Sequence, residues 1–258
     1  MSDHVLIDKS GGVLTLTLNR PDKKNALTRG MYQAIDQAEH DPEVRCILIR
    51  AAGDSFTAGN DLADFAAVSS GGRSADRADV AGNPLLVALA RARTPIVAAV
   101  RGRAVGVGLT LLLHCDLVFV AEDAVLTAPF VNLALVPEAA SSLLLPARIG
   151  HVRAFAMFVL GEAVDASTAV AWGIANAAVP VAELGARARA AAEAITSRPA
   201  AAVVRTKALM RDEPSLVAQM EQEAVHFLAQ LATPEAREAF AAFAGKRAPD
   251  FGKVGGKS

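Results

Sequence analysis

Arg103-Ala104-Val105-Gly106-Val107-Gly108-Leu109-Thr110 runs from a turn of small residues straight into a helical pattern. Such a junction leaves the first helical N–H groups without intrahelical acceptors and open to an anion. It lies between two apolar runs, Ile96–Val100 and residues 117–120, short enough to be buried strands. Further runs at 44–49 and Val125–Thr127, with helix candidates at 61–68, 84–92, 108–114 and 141–148, give strands and helices that alternate with short connections. That order predicts an α/β fold. A second junction of the same design is Phe56-Thr57-Ala58-Gly59-Asn60-Asp61-Leu62.

Outward from these turns, residues 5–7 and Val13–Leu18 read as a hairpin about Ser10-Gly11-Gly12. Thr28 is placed to cap a helix carrying Met31, Ile35 and Ala38 on one side. Residues 69–82 have linker chemistry and predict a mobile surface loop. From Val181 strand signals stop, and four helices are expected at 181–196, 200–211, 215–232 and 234–245, with Pro199, Pro214 and Pro234 near the starts. Thr233-Pro234-Glu235 combines a cap, a first-turn proline and an acid at the positive helix end. The expected division is a core at 1–195 and a helical region at 196–258, and no repeat of fixed period is visible.

The 258 residues are 52% hydrophobic, which suits one large globular unit, or a core with an appendage, and excludes a disordered chain. With 26 basic against 27 acidic residues the formal charge is −1, and the cations are scattered, so neither nucleic acid nor a membrane surface is an expected partner. The longest apolar stretch, 105–120, is broken by Gly106, Gly108, Thr110, His114 and Asp116 and falls short of the roughly 20 residues a membrane span needs. The N-terminal Met1-Ser2-Asp3-His4 shows no export pattern, so the expected location is cytoplasmic. Cys46 and Cys115 sit in apolar runs without partners at ligand spacing and are expected to be buried free thiols.

Several chemistries lack their core residues: there is no GxSxG, HExxH, CxxC or GxxxxGK[ST]. Gly106-Val107-Gly108-Leu109-Thr110-Leu111 lacks the third glycine of a dinucleotide fingerprint. His114, in apolar surroundings, reads as a core or helix-end histidine. Glu138 follows Leu133, Leu135, Val136 and Pro137, and is open to two readings. It is either an acid at a helix N-terminus or a carboxylate whose pKa an apolar wall raises toward proton-shuttling range.

The ordered set Leu18-Asn19-Arg20-Pro21, Asn25-Ala26-Leu27, the two glycine turns, Cys115-Asp116-Leu117 and the run from Pro129 to Glu138 resembles the crotonase superfamily, the enoyl-CoA hydratase and isomerase family, over nearly the whole chain. The resemblance implies a crotonase-like spiral of repeated ββα units with a C-terminal helical region that builds homotrimers or hexamers. It implies an acyl-CoA thioester substrate, with coenzyme A as part of the substrate, and neither a metal nor a redox cofactor. By the same resemblance, the N–H groups of Asn60 and Val107 hold the thioester oxygen. Ala58, Asn60, Asp61 and Leu62 follow the CoA moiety, with Lys24 among the basic residues near its phosphates; Lys246, Arg247 or Lys253 from a neighbouring subunit are further candidates. The acyl chain is expected against Phe65, Phe130 and Leu135.

The two glutamates that enoyl-CoA hydratases place about the attacking water fall at Thr110 and Phe130, neither of which is a general base at neutral pH. What remains is Glu138 in Pro137-Glu138-Ala139-Ala140-Ser141-Ser142, similar to the monofunctional delta-3, delta-2-enoyl-CoA isomerases, whose single glutamate occupies the matching position. The implied activity is isomerisation of a 3-enoyl-CoA to the 2-trans-enoyl-CoA by a one-glutamate proton shuttle. The alternatives are hydration or another crotonase reaction with a rearranged base, and a non-catalytic acyl-CoA binding protein.

Overall fold

Val13–Leu18 (β2) alternates β-branched and leucine side chains, and all six of its residues are buried because it is paired on both edges. It forms an antiparallel hairpin with Val5–Ser10 (β1) through Gly11 and Gly12, whose φ values of 61° and 76° suit a two-residue turn. On its other edge it runs parallel to Cys46–Ala51 (β3). The computed structural model describes residues 4–27, 41–60 and 84–254. The helix expected after Thr28, the one at 61–68 and the loop at 69–82 lie outside them, as do Asp61, Leu62 and Phe65.

The large sheet continues in parallel with Ile96–Val100 (β4), Leu117–Ala121 (β6) and Ala177–Val179 (β9), in the order β1-β2-β3-β4-β6-β9. A smaller sheet has the order β5-β7-β8, from Arg103–Val105 (β5), Val125–Thr127 (β7) and Val164–Asp165 (β8). The chain thus visits the two sheets in turn: β4 then β5, β6 then β7. Thr57 extends this rhythm backward, since after β3 it bridges Ala104 of β5. β5, β7 and β8 are each followed by a helix, in keeping with the spiral of ββα units that the resemblance implies.

Pleating divides the large sheet into two hydrophobic faces. Leu14, Leu16, Ile47, Ile49, Ile96, Ala98, Val118 and Val120 face the main core, while Val13, Cys46, Leu48, Val97, Ala99 and Phe119 face a second cluster. That cluster is closed by Leu184, Ala188, Ala191 and Ala192, among other residues. Cys46 and Cys115 are buried thiols, and desolvation, aided by Asp116, pushes both up to about 12.

Among the helices are Pro84–Arg91 (α1), Val107–Thr110 (α2), Ser141–Ile149 (α3), His151–Phe155 (α4), Ala166–Ala171 (α5), Leu184–Thr196 (α6), Ala200–Leu209 (α7), Glu213–Leu231 (α8) and Pro234–Ala244 (α9). The expected C-terminal helices are all present, with Asp212 capping α8 at the Ser215 N–H and Thr233 capping α9 at the Ala236 N–H. Three corrections concern shorter pieces. β5, β8 and β9 have two or three residues each and carry too little periodicity to read. The helix expected at 108–114 tightens after Thr110 into a 3-10 turn, Leu111–His114. The segment 151–160 is helical, with a π-helical turn at Ala156–Leu160.

Leu216, Met220, Phe227 and Leu231 of α8, with Ala236 and Phe240 of α9, join the same core as the large sheet. The helical region is therefore packed into the site-bearing half of the molecule. Among the described residues no helix is long and apolar enough to cross a membrane.

Candidate active site

The first glycine turn is held from below by Asn25, a residue 1% exposed with a left-handed φ of 55°. Its amide donates to the carbonyls of Ala52 and Ser55, both at 2.8 Å, and its Oδ1 accepts from the Arg20 N–H at 2.7 Å. Its own carbonyl accepts from the Thr57 hydroxyl at 2.7 Å, and that hydroxyl accepts from the Gly59 N–H at 3.0 Å. Gly59 has φ 89°, and a Cβ there would lie 2.7 Å from the Val105 carbonyl oxygen. Only glycine admits both the turn and the close approach. An Asn25→Ala protein leaves buried backbone groups unpaired, and it should lose about 2 to 4 kcal/mol of stability, read as a lower urea midpoint; an unchanged midpoint would show that the turn holds itself.

β5 brings the second turn against the first. The Thr57 N–H donates to the Arg103 carbonyl and the Val105 N–H to the Thr57 carbonyl, each at 3.0 Å. Gly106 then turns at φ 56°, and Val107 opens α2. A Cβ on Gly108 would lie 2.6 Å from Thr57 Cγ2, so glycine lets α2 pack flush on the first turn. A Cβ built on Gly59 would stand 3.9 Å from the Val107 nitrogen, which fixes how near the two turns are. Among the described residues, neither the Asn60 nor the Val107 backbone N–H donates to another group.

Glu138 faces these donors from the segment after β7. Its carboxyl accepts from Asn60 Nδ2 at 3.2 Å and is 6% exposed. Burial raises its pKa to about 7; the negative charge of Glu223 adds to the rise and the Asn60 hydrogen bond opposes it. The next two residues, Ala139 and Ala140, have φ of 65° and 53°, a costly left-handed pair for residues with a Cβ. They are held from two sides. His114 Nε2–H donates to the Ala139 carbonyl at 2.7 Å, while Nδ1 accepts from Arg211. Burial, with Arg211 nearby, lowers the His114 pKa to about 3, so it is a neutral structural histidine, as its surroundings in the sequence predict. On the other side Glu223 of α8 accepts from the Ala140 N–H at 2.6 Å and the Ser142 N–H at 2.9 Å.

These parts line one cavity of about 570 Å³. Around it stand Ala58, Gly59, Asn60, Gly106, Val107 and Glu138, with Phe130, Leu133, Leu135 and Phe227 forming apolar wall and Lys24 and Asp54 among the rest of the lining. The structure thus brings together Lys24, Ala58, Asn60, Val107 and Glu138. Lys24 is ion-paired with Asp54 at 3.0 Å. Of the other basic candidates, Arg247 pairs with Glu238 and Lys253 with Asp250. Thr110 is fully buried and its hydroxyl has no hydrogen-bond partner among the described residues.

Sequence reasoning missed Glu223 and the aromatic residues Phe227 and Phe243 that reach the cavity. The signal for Glu223 was present: it is three residues from Met220 and four from Phe227, an acid on the apolar stripe of a helix.

The family model for enoyl-CoA hydratase/isomerase matches residues 8–254. A 1,2-epoxyphenylacetyl-CoA isomerase of Escherichia coli (strain K12) is 32% identical, over 97% of this chain and 99% of that protein. The crystal structure of an enoyl-CoA hydratase/isomerase from Pseudoalteromonas atlantica T6c superposes with a TM-score of 0.88 at 40% identity, covering 96% of this chain and all of that one. An enoyl-CoA hydratase from Mycobacterium avium subsp. paratuberculosis K-10 superposes with a TM-score of 0.84 at 30% identity, covering 96% and 98%. The two-sheet spiral with its glycine turns is a crotonase fold. Within that class, the chain belongs to the enoyl-CoA hydratase/isomerase family.

Proposed function

We propose that the protein isomerises a 3-enoyl-CoA to the 2-trans-enoyl-CoA, with Glu138 as its only acid–base group. One observation carries this reading: Glu138 is a buried carboxylate in an apolar cavity beside two backbone N–H groups that donate to no other group among the described residues, while the positions of the hydratase glutamates hold Thr110 and Phe130. Removing a proton from carbon 2 of a thioester puts negative charge on the thioester oxygen. The N–H groups of Asn60 and Val107 receive that charge without rearranging, and donors of this kind are worth about 3 to 4 kcal/mol each in a dry site. The C2–H electron pair forms the 2,3 double bond of the product as the 3,4 double bond takes up a proton at carbon 4. Glu138 carries the proton between the two carbons, and no water is consumed. The Asn60 side-chain amide fixes one carboxyl oxygen for both transfers.

The base is the carboxylate form, so the rate should rise with pH through about 7 and be lost below it as Glu138 protonates. The direct test is the ultraviolet absorbance of the conjugated thioester formed from a trans-3-enoyl-CoA across pH 5 to 9, in roughly half-unit steps. A flat profile would remove Glu138 from the proton transfer. The second reading, hydration with a rearranged base, is favoured by the likeness to a protein that is an enoyl-CoA hydratase. It predicts solvent oxygen in the product, which isomerisation never incorporates.

A further inference from the structure

Helix α3 begins directly after Ala140, which has no side chain able to cap it, and no capping hydrogen bond comes from that residue. The acceptor that a capping side chain would supply comes instead from 83 residues away, as Glu223 takes the Ala140 N–H on Oε2 and the Ser142 N–H on Oε1. The Ser142 hydroxyl donates to the same Oε1 at 2.5 Å and accepts from Gln219 Nε2 at 2.9 Å. Three donors converging on one carboxyl group at a helix N-terminus is an arrangement for an anion. The same turn carries Glu138, whose carbonyl accepts from the Ser141 N–H at 3.1 Å.

We propose that Glu223 is a positioning residue for Glu138: from α8 it fixes the left-handed Ala139-Ala140 turn and sets a negative charge beside the Glu138 carboxylate. This rests on the reading of Glu138 as the proton carrier. The electrostatic consequence is that Glu138 is a stronger base than its burial alone makes it, because the second anion opposes its ionisation. Burial raises Glu223 as well, to about 7, against the lowering by its three donors. Among the described residues, the other ionisable groups near the turn include His114, held neutral, and the cations Arg148 and Arg211, while Lys24, Asp54 and Arg103 line the cavity that Glu138 faces. Arg148 donates to the Leu113 carbonyl and Arg211 to His114, and among the described residues neither cation is bonded to either glutamate.

The test is a carbon-13 NMR titration of the side-chain carboxyls in the full-length protein labelled at glutamate, with the Glu138 signal assigned by its loss in Glu138→Gln. In Glu223→Gln the Glu138 midpoint should fall by at least about half a pH unit, and the rising limb of the isomerase profile should move with it. Ser142→Ala removes one donor from Glu223, making that anion easier to protonate. It should move the midpoint the same way but less, and it decides the matter should Glu223→Gln fail to fold. A Glu138 midpoint unmoved within about 0.2 pH unit in the folded variants overturns the proposal, because a cap with only a structural role alters stability and leaves the titration in place. The titration needs no substrate. A shifted midpoint in a protein that makes no conjugated thioester supports the role of Glu223 and removes the isomerase reading; turnover with an unshifted midpoint does the reverse.

Discussion

Glu138→Gln should lower kcat for conversion of a trans-3-enoyl-CoA to its conjugated isomer by at least about a hundredfold, the least that a general base usually contributes. Acyl-CoA affinity should change little, since the amide keeps the shape of the carboxyl and leaves the Asn60 and Val107 donors in place. Full activity in the variant would end the isomerase mechanism. The same substitution has a signature in stability. Glu138 has a folded pKa near 7 against an ordinary 4.5, so the folded state holds its proton more tightly than the unfolded chain does. Its burial costs nothing below the ordinary value, and the cost accumulates as the pH rises from about 4.5 to about 7. Glutamine never ionises. The advantage of Glu138→Gln over wild type in melting temperature should therefore grow between pH 5 and pH 8, corresponding to up to about 3 kcal/mol. An advantage independent of pH would mean that Glu138 ionises as easily as an exposed acid.

Gly59→Ala should be nearly as damaging by a different route. The added methyl would lie 2.7 Å from the Val105 carbonyl oxygen, and the backbone at φ 89° disfavours any side chain. The turn must shift, and the Asn60 N–H moves with it. A misplaced oxyanion donor costs on the order of a hundredfold in kcat, whereas binding of a ground-state thioester, whose oxygen carries little charge, should suffer much less. Single-turnover rates measured beside acyl-CoA dissociation constants separate the two. Equal losses in both would show that the turn serves binding alone.

The division between what was legible in the sequence and what was not follows the range of the interactions. The α8 and α9 caps are local, and Asp212 and Thr233 announce them within three residues. The two glycine turns are also local, because each needs its glycine whatever lies opposite. Their juxtaposition through Thr57, Val105 and Gly108 is not local, and only the ordered resemblance to a family anticipated it. The pKa of Glu138 was half legible: Leu133, Leu135 and Val136 announce an apolar wall, while the charge that adds to it comes from Glu223 on α8. Strands of two or three residues such as β8 and β9 owe their existence to partners far along the chain and leave no pattern of their own.

The cap that α8 lends to α3 also sets the order in which the parts of the site can come together. A nascent chain that has emerged as far as α6 already has the residues of both sheets and of both glycine turns, and it already carries Glu138. It has no Glu223 to hold the left-handed turn and no Phe227 to wall the cavity. During synthesis, the left-handed turn that carries Glu138 therefore waits for an acceptor that leaves the ribosome 83 residues after Ala140.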